Sequence, residues 1–364
     1  MHMSDALISP AVGLTMLAAS GGAAAYSIKK IQDDMDDKQV PLMGVMGAFV
    51  FAAQMINFSI PGTGASGHIG GGMLLAALLG PYAGFLTMAS ILLIQALFFG
   101  DGGLLAYGCN VFNLGFYTCF IAYPYIYKRI TRKNVNSKRI FAASIASSLI
   151  GLQMGAFSVV LQTLLSGKTE LPFGTFVLLM QPIHLAIGIV EGLVTAAIVA
   201  FVWKARPEII DKNAAAEEIN SASEISVKKL LAVFIIAVIV VGGVLSWFAS
   251  SNPDGLEWSI EKTAGEAELE IPDGIHNKLL EIQGKTAFLP DYGFKEGNSK
   301  VSDSEKKEAQ PVAEAKIEDE EAWPAVSAGT SVSGIIGGAL TLALASLIGL
   351  SVRIAKRKKK SAVA

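Results

Sequence analysis

A histidine stands directly after the first methionine, and these two residues together offer three nitrogens to one metal ion. They are the free α-amine of Met1, the backbone amide nitrogen of His2 and the Nδ1 of the His2 imidazole. Binding through all of them closes a five-membered and then a six-membered chelate ring. The nitrogens then share a plane and leave one corner of a square open, a geometry associated with Ni(II) or Cu(II). The competing reading is an unstructured terminus, the usual condition of chain ends.

Histidines are scarce: besides His2 there are only His68, His184 and His276. His68 lies in the glycine-dense stretch Pro61-Gly62-Thr63-Gly64-Ala65-Ser66-Gly67-His68-Ile69-Gly70-Gly71-Gly72. This stretch lacks the lysine and the strand–helix setting of a phosphate loop. If it shares a membrane face with the chain start, His68 completes the square begun by Met1 and His2. Otherwise His68 is a satisfied structural histidine. A ligating imidazole usually donates from its other nitrogen to an acceptor. Asn57, Asp101, Asn110 and Asn113 are candidates for that task, with helix capping or contacts between helices as the alternative for each. His184 and Glu191 are seven residues apart, on one face of an apolar helix. Ionisable groups inside a membrane invite a functional reading, here a proton relay or second metal site; polar contacts between helices are the simpler one. His276 is expected to be an ordinary exposed histidine.

The elements that must position these residues are membrane helices. The chain of 364 residues is 52% hydrophobic and 16% charged, with a mean hydropathy of +0.50, well beyond an ordinary soluble domain. Its 29 basic and 31 acidic residues argue against nucleic acid as a partner. Cys109 and Cys119 share one apolar run, ten residues apart; that spacing suits neither a disulfide framework nor a thiolate metal site. They read as buried small hydrophobes.

Apolar runs place spans near 8–28, 41–60, 69–80, 83–99, 104–127, 140–165, 176–203, 229–249 and 329–352. Gly80-Pro81 divides what would otherwise be one long helix. Basic residues mark the cytoplasmic side: Lys29 and Lys30, the 128–139 loop, Lys204 and Arg206, Lys228 and Lys229, and the 356–360 cluster, which also suits lipid headgroups. These fall on one side if the N-terminus is outside. No basic n-region precedes the first apolar run, so no cleaved signal is expected and Met1 is expected to survive. The fold class is then all-α: a polytopic membrane bundle of about seven helices over residues 1–205, a cytoplasmic linker over 206–228, and a two-helix module over 229–364. That module comprises helix 229–249, an extracytoplasmic segment 250–328, helix 329–352 and a basic cytoplasmic tail. The charged stretch 295–321 is expected to be flexible. Gly44, Ala48 and Ala52 form a small-residue stripe, for packing inside the bundle or for docking a partner. Asp33, Asp34, Asp36 and Asp37 read as a solvated cytoplasmic loop rather than a cation site.

Several segments resemble the NikM/CbiM family, the substrate-binding membrane subunits of energy-coupling-factor transporters for nickel and cobalt. They are Met1-His2-Met3-Ser4-Asp5-Ala6, Gly62-Thr63-Gly64-Ala65-Ser66-Gly67-His68, Gln95-Ala96-Leu97-Phe98-Phe99-Gly100-Asp101-Gly102-Gly103, Asn110-Val111-Phe112-Asn113 and the stretch from His184 to Thr195. Pro253-Asp254-Gly255-Leu256-Glu257 resembles the PDGLE segment of the accessory NikN-type subunit. The start departs from the family's commoner His-(Ile/Met)-Pro-Asp-Gly and His-(Ile/Met)-Glu-Gly forms, although His2 is retained. The resemblance implies an N-terminal strand tucked into the bundle, Met1, His2 and His68 as metal ligands, and no enzymatic activity or resident cofactor. It also implies a transmembrane coupling (T) subunit and ATP-binding cassette ATPases as partners in the cell membrane. No Gly-x-x-x-x-Gly-Lys-Ser/Thr occurs in the chain, so energy must come from those partners.

Ni(II) is the expected cargo, tilted by the NikN-like module. Co(II) uptake supplying cobalamin synthesis is the alternative, and a membrane metal sensor or metalloenzyme is more remote. A square filled by four nitrogens leaves no open equatorial position for a metalloenzyme's substrate.

Overall fold

Each of the nine apolar runs is helical over most of its length in the computed structural model. The structure describes all residues except 35–38, 134, 169, 211–225, 267–268, 270–273, 296–322 and 364. Helices α1 (Pro10–Asp34) and α2 (Gln39–Gln54) lead into an antiparallel hairpin, β1 (Phe58–Ile60) and β2 (Ala65–Gly67). Next come α3 (Gly72–Leu79) and α4 (Pro81–Ile94), the latter widening into a π-wound turn at Gln95–Phe99. Helix α5 (Tyr107–Val111) runs on through Phe112–Tyr127 and Lys128–Thr131. Then follow α6 (Ser137–Leu165), α7 (Phe173–Ala205), α8 (Val227–Gly243), α9 (Gly255–Ala264), α10 (Ile275–Thr286) and α11 (Ala328–Val363).

Among the described residues, five helical bodies are long and apolar enough to cross a membrane: Pro10–Gln32, Pro81–Phe99, Ser137–Leu165, Phe173–Ala205 and Ala328–Lys356. The side-chain distribution suits a lipid solvent. Ser144, Ser147, Asn113 and Glu191 are wholly buried, whereas Leu14, Leu178 and Ile236 are each more than half exposed. This is an all-α multi-pass membrane protein.

Two expected spans are corrected. The run 41–60 stops being helical at Gln54, and residues 58–60 pair with 65–67 instead. In the run 69–80 only Gly72–Leu79 is helical, a rise of about 12 Å against a hydrocarbon thickness of about 30 Å. The glycines ahead of α3 leave backbone groups that other helices must satisfy. Glu191 of α7 does so by accepting the Gly70 N–H at 2.6 Å, and Gln54 of α2 by donating to the Gly70 carbonyl at 2.8 Å. Glu191 thus makes the inter-helix contact that its position in an apolar helix suggested.

The small-residue stripe of α2 also packs internally, against α11. A Cβ on Gly44 would strike Ser346, and one on Gly337 of α11 would strike Phe51. Cys109 and Cys119 are free and buried. Asp36 and Asp37 lie outside the described residues, as do the side chains of Asp33 and Asp34 and nearly all of the 295–321 stretch.

One end of the bundle gathers the chain start, the hairpin, the 100–106 loop and the described residues between 249 and 295. Ser250 N–H donates to the Asn57 carbonyl, Leu289 N–H to the Phe98 carbonyl and Ser66 N–H to the Pro253 carbonyl. Strand β2 therefore acquires a parallel bridge partner in Asp254. The basic loops flanking α5, α6 and α7 fall at the opposite end.

Candidate metal centre

The first eight residues run as extended chain with one turn of 3-10 helix at Asp5–Leu7. They are buried because they carry apolar side chains into the bundle: Met3, Leu7 and Ile8 are almost wholly covered. Asn110 of α5 fixes the depth of this strand by pairing with Met3 as a neighbouring strand would. Its Oδ1 accepts the Met3 N–H at 2.8 Å, and its Nδ2 donates to the Met3 carbonyl at 3.1 Å. Gly103 N–H donates to that same carbonyl at 2.9 Å, and the Asp5 carboxylate accepts Ala106 N–H at 2.9 Å. Approach this close requires glycine at 103, since a Cβ there would collide with Asp5.

This anchoring brings Met1, His2 and His68 together. The His2 and His68 rings are near-parallel, 12° apart in plane with centroids separated by 5.2 Å. His68 Nδ1 lies 3.1 Å from the Ile69 carbonyl. It must donate there, which leaves the Nε2 lone pair free for a ligand. The Met1 ammonium donates to Asp254 Oδ2 at 3.2 Å, and His2 Nδ1 sits 3.4 Å from Asp101 Oδ1. His2 Nε2 and Gln95 Oε1 are both buried without a hydrogen-bond partner. Met1, His68, His184 and Asp254 line a common cavity with Gly67, Gly70, Leu114, Leu152, Ile187 and Gly255.

Burial sets the charge state of the two imidazoles. Burial, then the Met1 ammonium and His2, push His68 down to about 4. Burial lowers His2 as well, and the nearby Asp101 charge opposes that shift. Both rings are therefore neutral near pH 7, as a metal ligand must be. Burial works to raise the Asp254 carboxyl, but the Met1 ammonium, His68 and the N–H of Glu257 hold it below the usual carboxylate range.

The stretch Pro253-Asp254-Gly255-Leu256-Glu257 acquires a physical meaning here. Asp254 Oδ1 accepts the N–H groups of Leu256 and Glu257, and Glu257 Oε2 accepts the Asp254 N–H. This is a capping box at the start of α9. The remaining oxygen of the same carboxylate holds the Met1 amine. Gly255 lets the turn lie flat on α7, where a Cβ would strike Ile183.

The other candidates divide. Asp101 reaches His2, and its second oxygen accepts the Tyr292 hydroxyl at 2.5 Å. Asn110 orients the strand rather than an imidazole. Asn113 exchanges hydrogen bonds with Gln162 of α6 at 2.8 and 3.0 Å. Asn57 contributes a backbone carbonyl to Ser250. His276 corrects the expectation of exposure: it is 3% exposed, and its Nε2 donates to the Ile8 carbonyl at 2.8 Å. Its place on the apolar-facing side of α10 buries it against the chain start.

Neither Asp254 nor Gln95 stands out in the sequence as a partner for the Met1 amine or the His2 imidazole. Among the described residues no cluster of three His, Cys, Asp or Glu side chains could hold a metal ion.

The model of the family described as "Cobalt uptake substrate-specific transmembrane region" (CbiM) matches residues 2–209. That of the PDGLE domain matches residues 228–354. The "Putative fused nickel transport protein NikMN" of Archaeoglobus fulgidus is 37% identical over 217 residues, 59% of this chain and 70% of that protein. The "Cobalt transport protein CbiM" of Sorangium cellulosum is 30% identical over 191 residues, 52% of this chain and 84% of its own. A crystal structure described as that of a transition metal transporter superposes with a TM-score of 0.51 at 30% identity, covering 60% of this chain and all of its own.

Proposed function

This chain belongs to the CbiM family and is a membrane component of nickel or cobalt transport, and on that premise we propose that it captures Ni(II) as the substrate-binding subunit of an energy-coupling-factor transporter. The ligands are the Met1 amine, the His2 amide nitrogen, His2 Nδ1 and His68 Nε2. The observation that carries this reading is the convergence of the buried terminus with the His68 imidazole. In the tridentate ring the amide stands between amine and imidazole, so the open corner lies next to both of those groups. His68 lies beside His2 and shares a cavity with Met1, which suits that corner.

Deprotonating the His2 amide lowers the net charge of bound Ni(II) from two to one, and a smaller charge costs less to hold where the dielectric is low. The coordinated amine still carries N–H groups for Asp254, so that carboxylate keeps its partner. Ni(II) occupancy falls as the pH falls, because the amine and the amide must each give up a proton. His68, already neutral down to about pH 4, does not set that loss; counting the protons released on loading checks it.

The binding end faces outward and the basic end inward, in line with the bias of positive loops toward the cytoplasm. The C-terminal tail is then cytoplasmic, and a separate coupling subunit and ATPases drive release. Residues 1–205 form the metal-binding module and 229–364 the NikN-like one. Fusion to that module, and the likeness to a relative named for nickel, favour Ni(II) over Co(II).

The test is metal content of the full chain with Met1 terminal, against a version with one extra residue ahead of it. Stoichiometric Ni(II) in the first and none in the second is expected. Equal metal in both overturns the terminal chelate, and a preference for Co(II) over Ni(II) changes the cargo.

A further inference from the structure

His184 lies on α7 with its Nδ1 2.8 Å from the Met180 carbonyl, to which it must donate. Its Nε2 is buried and has no hydrogen-bond partner. Ligating histidines commonly take this form, one nitrogen tied to a carbonyl and the other presenting a lone pair. His68 has the same arrangement toward Ile69. The ring is 1% exposed and opens on the cavity that also holds Met1, His68 and Asp254. The remaining side chains there, Leu114, Leu152 and Ile187, are apolar and cannot donate to it. Leaving such an acceptor unsatisfied is costly in a buried site, and this one faces the cavity that the chain start shares.

A planar four-nitrogen Ni(II) site poses a release problem. Its equatorial corners are filled, and square-planar d8 ions exchange ligands associatively: a fifth donor adds to an open face before any existing bond breaks. A transporter using such a site needs a lone pair fixed beside the plane. We infer that His184 Nε2 is this entering ligand, an inward transfer site for Ni(II); the inference rests on the terminal chelate proposed above. The Ni–N bond to His184 forms first, and the bond to the Met1 amine then breaks. The freed amine takes a proton from water, leaving hydroxide, and donates to Asp254 Oδ2, to which the Met1 ammonium lies at 3.2 Å. No electron changes hands.

The test uses the full chain loaded with Ni(II) alone, and follows transfer to added EDTA. His184→Ala is expected to keep stoichiometric Ni(II) while transfer slows roughly tenfold, the lower end of what a lost ligand-shell contact costs. Free imidazole, entering the vacated space, restores the rate. His184→Gln is expected to be equally slow and, with that space filled, not rescued; it decides the matter if the alanine variant does not fold. Unchanged transfer in a fully loaded variant overturns the inference. So does loss of bound Ni(II) in the variants alone, which would make His184 a holding ligand. Absence of Ni(II) from the unsubstituted chain instead defeats the terminal chelate itself.

Discussion

Asp101 and Asp254 flank the same short piece of chain, one beside the His2 imidazole and the other on the Met1 amine, but they are held in different ways. Asp254 opens a helix. One of its oxygens caps α9 and the other takes the amine, so a rigid element with a favourable dipole fixes it. Asp101 sits in the 100–106 loop and gains its rigidity from outside, through the Tyr292 hydroxyl. Tyr292 in turn stacks on Phe99, with centroids 5.0 Å apart. Burial, then the Asp101 charge, push its phenol well above the usual range, so it stays a donor. The amine end is thus gripped by a helix start and the imidazole end by a clasped loop. Both grips depend on residues after 250, which are far along the chain from the histidines they serve.

The largest effect is expected at Asp254. Asp254→Ala removes both the cap, worth ~1 kcal/mol, and the acceptor for the N–H groups of the coordinated amine, and should lower Ni(II) affinity by roughly 100-fold. Asp254→Asn separates the two roles, since asparagine caps nearly as well. It should restore thermal stability toward that of the unsubstituted chain while affinity stays low. Recovery of both together would mean that the cap alone matters. Asp101→Asn should change affinity by much less in the same titration, because Asp101 lies against His2 Nδ1, the atom that the metal takes, and His2 keeps its backbone placement through Met3 and Asn110. An effect equal to that of Asp254→Ala would erase the distinction between helix-held and loop-held carboxylates. Tyr292→Phe should cost least, about 1 kcal/mol for one hydrogen bond, read as a few-fold faster Ni(II) dissociation. No change there would mean that the Pro290–Tyr292 turn does not brace Asp101.

Much of this was legible in the sequence because it depends on patterns with a short range. Apolar runs and basic loops place His2 and His68 at one end of the bundle, and the aggregate pattern of helices follows from hydropathy. Gly80-Pro81 marked the break before α4 correctly. The eight-residue α3 was not legible, since Gly70 is satisfied by Gln54 and Glu191 from two distant helices. Apolar composition alone cannot distinguish a full span from a half-helix with a supported extended lead.

Asp254 shows the same limit. The Asp-x-x-Glu spacing of Asp254 and Glu257 announces a helix start. That its spare oxygen meets a residue 253 positions away is a tertiary fact. His276 misled for a related reason: in a polar segment it reads as exposed, yet it seals the chain start by bonding Ile8.

The central claim is a planar nitrogen site made by the chain's own terminus and His68. X-ray absorption at the nickel edge, on the loaded full chain, tests it most directly. The account predicts a single short shell of nitrogen donors and the pre-edge signature of a square plane, both lost in His68→Ala. A longer, six-coordinate shell rich in oxygen, unchanged by that substitution, would contradict it.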